Sequence, residues 1–166
     1  MGKKIFITLG SQKFQFNRLL KAVDELCEKD MVDAEDVFAQ IGYSDYLPRN
    51  FSYKKFLDRD EFGSEMGKSE IVITHGGTGA IIGAIKKGKK VIAVPRCAKF
   101  GEHVDDHQLQ LIKQFDELNL ICTCEDTTEL KKALDIVKQS EYVQYKSNTA
   151  KIIKNIEEYI KESYRI

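Results

Sequence analysis

The chain has 166 residues, and its 26 Lys and Arg residues balance its 26 Asp and Glu residues, so its formal net charge at pH 7 is zero. This balance gives no electrostatic basis for nucleic-acid binding. The length suits one domain with a substantial core, and we expect a single domain over residues 1–166. The N-terminal segment is too quickly interrupted to be expected as a signal peptide, and no apolar run approaches the roughly 20 residues that span a bilayer, so we expect a cytoplasmic protein.

Apolar runs and helical repeats alternate along the chain. The predicted strands are residues 4–9, 37–41, 71–73, 91–94 and 120–124. The predicted helices are the segment with apolar positions from Leu19 to Cys27, then residues 60–68, 78–87, 105–117, 127–138 and 145–164; residues 47–56 are expected to be irregular. Strands that alternate with helices predict a parallel sheet covered on both faces. We therefore expect an α/β fold, a Rossmann-like domain with a long C-terminal helix.

The cysteines and histidines do not form a metal-binding pattern. The cysteines are Cys27, Cys97, Cys122 and Cys124. They contain no C-x-x-C pair, and Cys122 and Cys124 share one face of a predicted strand, which is typical of buried thiols. His103 and His107 are four residues apart, but no third ligand accompanies them. We expect no metal site and no cofactor.

A glycine-rich turn follows the predicted strand at residues 71–73. Gly76, Gly77 and Gly79 leave little side-chain bulk there, and Thr78 is expected to cap the helix that follows. Free N–H groups at a helix start favour an anion, so the turn predicts a diphosphate or nucleotide site. The turn is not G-x-G-x-x-G, and the alternative is that its glycines only allow tight helix–strand packing.

The other polar and glycine-rich segments also follow predicted strands. Gly10, Ser11 and Gln12 follow the first strand, Gly42 follows the second, and a polar loop follows Pro95. In a parallel sheet the ligand lies at the carboxyl ends of the strands. We therefore expect these segments to meet the glycine-rich turn at one edge of the sheet.

Three of these motifs, in this order, resemble a known family. They are Gly10-Ser11-Gln12, His75-Gly76-Gly77-Thr78-Gly79, and the run from Gly101 through Glu102, His103, Asp106 and His107 to Gln108. Together they resemble the donor-binding, C-terminal half of GT-B glycosyltransferases of the family 28 C-terminal-domain type. The resemblance covers nearly the whole chain and is strongest to small soluble subunits of two-chain enzymes. These include the dolichol-linked N-acetylglucosaminyltransferase and, more closely, bacterial capsule or exopolysaccharide enzymes.

The resemblance implies a role for each motif. Gly10, Ser11 and Gln12 are expected near the donor diphosphate, and residues 75–79 at the diphosphate and nucleoside. Asp106, His107 and Gln108 are expected to bind the hydroxyl groups of the donor sugar. Related single-chain enzymes carry a ribose-binding acid at the position of Gly83, so the ribose needs another contact, for which Glu102 is a candidate. The general base is unassigned; Glu102 and His103 are candidates without support.

The resemblance also implies the function. The chain is expected to be the UDP-sugar-binding subunit of a heteromeric inverting glycosyltransferase that transfers a hexose to a polyprenyl-diphosphate-linked saccharide. A membrane-associated partner would bind the acceptor and recruit this subunit to the inner face of the membrane. The alternatives are a non-catalytic nucleotide-sugar-binding module that enhances its partner and a stand-alone enzyme with another phosphorylated ligand.

The last predicted helix carries an apolar stripe between charged residues, formed by Ile152, Ile153, Ile156, Tyr159 and Ile160. The stripe is a candidate docking face for the partner subunit. The alternative is that it packs on the protein's own sheet.

Overall fold

The computed structural model describes residues 4–103 and 107–163. Six parallel strands form one sheet in the order β3-β2-β1-β4-β5-β6. The strands are β1 (Ile5–Thr8), β2 (Val37–Gln40), β3 (Ser52–Lys54), β4 (Ile71–Thr74), β5 (Lys90–Ala93) and β6 (Cys122–Thr123). The helices are α1 (Asn17–Glu28), α2 (Arg59–Lys68), α3 (Thr78–Lys86), α4 (His107–Glu117), α5 (Leu130–Gln139) and α6 (Ser147–Ser163). The predicted Rossmann-like α/β fold with a long C-terminal helix is confirmed.

The order of the strands reverses between β1 and β4. The chain builds outward from β1 to β3, then returns to the other side of β1 and builds outward from β4 to β6. Thr8, the last residue of β1, lies between Gln40 of β2 and Thr74 of β4 in the register. The connections after β1 and β4 leave the sheet in different directions, which opens a crevice at the carboxyl ends of these strands.

Each face of the sheet has its own apolar core because neighbouring strand residues point to opposite faces. Ile5 and Ile7 of β1 pack in the cluster that contains the buried residues of α1 and α5. Phe6 packs in the other cluster, beneath the buried residues of α2, α3, α4 and α6. The buried runs of β1 and β4 therefore read as continuous apolar sequence, as expected of central parallel strands.

Two details of the predicted elements differ from the structure. The segment over residues 47–56 was expected to be irregular, but Ser52–Lys54 pairs with β2 as an edge strand of three residues. Its exposed and half-exposed residues carry no buried apolar run that could reveal it. The predicted helix over residues 127–138 begins as a 3-10 turn (Thr127–Glu129), with the Asp126 carboxylate accepting the Thr128 N–H. Asp126 therefore caps this turn.

The apolar stripe of α6 is divided between core and surface. Ile153 and Ile156 are buried in the second core cluster, so own-sheet packing is the correct interpretation for these two residues. Ile152 and Tyr159 are 41% and 64% exposed. The Ile160 side chain lies outside the described part of the structure. None of the helices within residues 4–103 and 107–163 is long and apolar enough to cross a membrane.

This division of α6 predicts different costs for two neighbouring substitutions. Ile153→Ala should lower the free energy of unfolding by about 2–5 kcal/mol, because it removes a buried side chain from the core. Ile152→Ala, the matched control, should change it by less than about 0.5 kcal/mol. Urea denaturation measures both. Equal losses would show that α6 packs through a different face.

Candidate functional site

A cavity of about 620 Å³ lies where β1, β2, α2 and α3 meet. Seven of the predicted site residues line it: Gly10, Ser11, Gln12, His75, Gly77, Thr78 and Gly79. The turn after β1 and the turn after β4 thus open into one space at the reversal point of the sheet. The expected meeting of these two motifs at one sheet edge is observed.

The start of α3 faces this cavity, and none of the described side chains caps it. The N-cap position is Gly77, in an extended conformation, and Thr78 is the first helical residue. The prediction that Thr78 caps the helix is therefore wrong. A glycine cap has no side-chain oxygen, and no described side chain replaces it at the N-cap. The first N–H groups of α3 remain available to an anion in the cavity.

The glycines of the two turns differ in the space around them. A Cβ atom on Gly77 would lie 2.7 Å from His75 Nε2, and one on Gly76 would lie 2.5 Å from the Gln108 Cβ. Gly10 has a positive φ of 73°, and a Cβ there would also lie 2.7 Å from His75 Nε2. Gly79 has open space around it in the described structure. Close packing explains the first three glycines and leaves Gly79 without a packing reason.

His75 is the buried polar residue at the centre of these contacts. Its side chain follows β4 directly, and the residue is 5% exposed. Burial, with a smaller contribution from the positive charge of Arg96, lowers the pKa of His75 to about 3. The imidazole is therefore neutral at physiological pH.

Gln108 was expected to bind sugar hydroxyls, but its amide is bonded inside the protein. Its Oε1 accepts the N–H groups of Gly76 and Arg96, each at 3.3 Å. Its Nε2 lies 3.3 Å from His75 Nδ1. The residue is 8% exposed and belongs to the wall behind the glycine turn, not to the lining of the cavity.

Glu102 lies in a different place from the glycine turns. Its carboxylate accepts two hydrogen bonds from Arg18, at 3.0 and 3.1 Å, and one from the Cys97 N–H. The side chain is 1% exposed and borders a second cavity, of about 520 Å³, beside α1. The structure therefore places Glu102 in an ion pair with Arg18, outside the lining of the cavity at the glycine turns.

The remaining predicted residues give less information. His103 is half-buried, and its ring centroid lies 5.6 Å from that of Phe14. Asp106 lies outside the described residues, and His107 is described only as the first residue of α4. The geometry of the expected sugar-binding run is thus described for Gln108 alone.

Two polar residues at or near the site were not predicted from the sequence. Gln40 ends β2 and lines the cavity, and its buried Oε1 has no hydrogen-bond partner among the described residues. Its signal was a polar residue at the end of the apolar run Val37-Phe38-Ala39. Arg96 is 1% exposed and donates to carbonyls of three separate segments, at Leu9, Phe14 and Glu102. Nothing in its sequence context distinguishes it from a surface arginine.

Comparison with known proteins defines the family. Residues 4–163 match the family model of the glycosyltransferase family 28 C-terminal domain. The chain belongs to this family. It is 28% identical over 130 residues to the human UDP-N-acetylglucosamine transferase subunit ALG13, a match that covers 74% of this chain and 11% of the human protein. The chain therefore spans about a tenth of the length of the curated relatives that it matches.

Solved structures show the same fold at low sequence identity. The calicheamicin glycosyltransferase CalG4 matches 98% of this family member with 38% of its own chain, at a TM-score of 0.60 and 18% identity. The solution structure of ALG13 matches 87% of this family member with 89% of its own chain, at a TM-score of 0.58 and 19% identity. MurG of Acinetobacter baumannii matches 97% of this family member with 49% of its own chain, at a TM-score of 0.57 and 14% identity. These likenesses confirm the predicted C-terminal half of a GT-B fold.

The buried neutral His75 predicts acid sensitivity. The unfolded chain takes up a proton at the ordinary histidine pKa, near 6.5, while folded His75 does so only near pH 3. The unfolded state thus binds more protons between these values, and stability falls as the pH falls from 6.5. Between pH 7 and pH 5 the wild type should lose about 2 kcal/mol more than His75→Asn in urea denaturation. An identical loss in both proteins would show that His75 titrates normally.

Proposed function

We propose that this chain is the UDP-sugar-binding subunit of a heteromeric inverting glycosyltransferase. The observation that carries the proposal is the cavity in which the Gly10 turn and the uncapped start of α3 open together. In parallel α/β sheets this position, at the reversal of strand order, is where nucleotides bind. Family membership over residues 4–163 supports the same assignment.

The diphosphate is assigned to the end of the cavity formed by the two turns. Gly77 brings no side chain to the start of α3, so a phosphate oxygen can approach the backbone N–H groups there. The helix dipole favours the negative charge at the same place. Ser11 and Gln12 line this cavity and add a hydroxyl and an amide, both of which bind phosphate or sugar oxygens.

The nucleoside is assigned to the other end, toward α2. Leu57, Phe62 and Met66 provide an apolar wall there, which suits the face of a base. Gln40 supplies the polar contact, because its buried Oε1 is an acceptor without a partner among the described residues. A base N–H would satisfy it, and an unsatisfied buried acceptor is costly to keep.

A second subunit is part of the proposal. The human relative is named as a subunit of a UDP-N-acetylglucosamine transferase, which supports an enzyme of more than one chain and a UDP-linked N-acetylhexosamine donor. The partner would bind a polyprenyl-diphosphate-linked saccharide in capsule or exopolysaccharide synthesis and hold this subunit at the inner face of the membrane. The exposed residues Ile152 and Val143 line a surface groove beside α6 and provide a docking face. The second candidate function is a non-catalytic module that enhances its partner. It needs the same cavity to bind a nucleotide sugar, but the sugar bound there is not transferred.

Titration with a panel of UDP-sugars, UDP and ADP tests donor binding, and a transfer assay with and without the partner tests the two-chain claim. The proposal expects UDP-selective binding by the chain alone and transfer only with both chains. Transfer that survives loss of donor binding here would support the enhancing module. Full transfer by the isolated chain would contradict the two-chain proposal.

Gly83→Glu should strengthen UDP binding. Gly83 lines the cavity on α3, and a Cβ there meets no described atom within 4 Å, so a carboxylate has room to accept the ribose hydroxyls. A charge-assisted hydrogen bond predicts a gain of about tenfold in affinity. Calorimetry measures it, and the gain should vanish with a UDP analogue that lacks both ribose hydroxyls.

The matched control is Gly63→Glu on α2, which also has open space but does not line the cavity. It should leave UDP affinity unchanged. A gain that both variants share, or that persists without the ribose hydroxyls, would contradict the placement of the ribose beside Gly83.

Ile152→Asp should abolish co-purification with the membrane-associated partner while UDP affinity is retained, because it places a charge on the exposed groove and not in the core. Lys154→Asp, an exposed change on the same helix, is the control and should leave co-purification intact. Retained co-purification with Ile152→Asp would remove this face from the interface.

A further inference from the structure

We propose that Gln108 is a positioning residue that fixes His75 as the Nε2–H tautomer, so that a neutral imidazole donates its N–H into the cavity. The tautomer follows from hydrogen bonds within the protein. Only the identity of the acceptor, a diphosphate, rests on the proposed function. This role differs from direct binding of the sugar by Gln108.

The orientation of the Gln108 amide is determined by two backbone donors. Gly76 N–H comes from the glycine turn and Arg96 N–H from the segment after β5, and both reach the same amide atom at 3.3 Å. An N–H group can donate only to an acceptor, so this atom must be the oxygen. The other amide atom, 3.3 Å from His75 Nδ1, is therefore the nitrogen.

The orientation of the amide determines the proton on His75. An amide nitrogen is a donor and cannot accept a hydrogen bond. His75 Nδ1 must then accept, which requires that it carries no hydrogen. Because the ring is neutral, its one N–H is at Nε2. The chain of hydrogen bonds thus runs from two backbone N–H groups through one side-chain amide to a single imidazole tautomer.

The Nε2 atom lies at the junction of the two turns. Hypothetical Cβ atoms on Gly10 and on Gly77 would each approach it to 2.7 Å, so both backbones are adjacent to this atom. His75, Gly10 and Gly77 all line the cavity. Because both positions are glycine, there is room for the imidazole ring between them. An oxyanion that binds at the turns would accept from the Nε2–H as well as from backbone N–H groups.

The titratable groups that act on His75 are Arg96, from the segment after β5, and His103, from the loop before α4. Burial disfavours the imidazolium form most, and both of these groups add to its effect. The hydrogen bond with Gln108 acts in the opposite direction, but Gln108 carries no charge, and the pKa of His75 still lies at about 3. The site therefore offers a neutral donor, and donor binding should not require proton uptake by His75 between pH 5 and pH 8.

Gln108→Glu tests this role with nearly the same shape. A carboxylate can still accept the Gly76 and Arg96 N–H groups, but it cannot donate to Nδ1. It should draw the His75 proton to Nδ1, raise the pKa of the ring and leave Nε2 as an acceptor that faces the anion. UDP affinity at pH 8 should fall about tenfold and recover as the pH is lowered and Nε2 is protonated. The wild type should show no such pH dependence.

Nitrogen-15 NMR of the His75 ring reads the tautomer directly in the unliganded protein. The wild type should show a protonated Nε2 and an unprotonated Nδ1, and Gln108→Glu should show the reverse or an imidazolium. A wild-type ring protonated at Nδ1, or a variant with the wild-type tautomer and pH profile, would overturn the proposal. If Gln108→Glu does not fold, the wild-type spectrum alone decides.

The NMR result does not depend on the ligand. Absence of UDP binding by the wild type, with the Nε2–H tautomer present, would contradict the proposed function and leave the role of Gln108 standing. UDP binding by a wild type that carries the Nδ1–H tautomer would support the proposed function and overturn the role of Gln108. Gln108→Met, which keeps the volume but has no amide, should lose the fixed tautomer without acquiring the pH-dependent binding of Gln108→Glu.

Discussion

The site depends on one steric constraint, the fit of a single imidazole between two glycine turns. His75 occupies the space that side chains on Gly10 or Gly77 would need, and the turns come from strands on either side of the sheet reversal. The ring therefore lies next to both turns and also lines the crevice between them. This one arrangement explains why the two backbones lie close together, why the ring is buried and why no described side chain caps α3.

Arg96 fixes the loops around that arrangement. Its guanidinium is buried and donates to Leu9 O at 2.6 Å, which precedes the Gly10 turn, and to Phe14 O and Glu102 O on the neighbouring loops. Burial lowers its pKa to about 10, so it stays charged at physiological pH. Its charge helps to keep His75 neutral, while Glu102 is occupied by Arg18. Burial, with a smaller contribution from the charge of Arg96, thus keeps the His75 ring neutral.

The sequence was sufficient to predict what depends on local pattern. Buried runs such as Ile71-Val72-Ile73 predicted the strands. The glycine motifs after two of these strands predicted at which edge of the sheet the cavity lies. It was not sufficient for side-chain direction. The resemblance to the family assigned ligand contacts to Gln108 and Glu102, yet both are bonded within the protein. The Ser52–Lys54 edge strand and the unpartnered Gln40 oxygen depend on tertiary neighbours, which no local pattern contains.

The central claim is that the cavity at the two glycine turns, and not the one beside α1, holds the nucleotide. An amide chemical-shift titration of the labelled protein with UDP tests it most directly. The account predicts saturable shifts at Gly10, Ser11, Gln12 and residues 77–80, with weak or no shifts at Lys21, Phe100 and Thr128, which line the second cavity. Saturable shifts confined to the second cavity, or none at either, would contradict it.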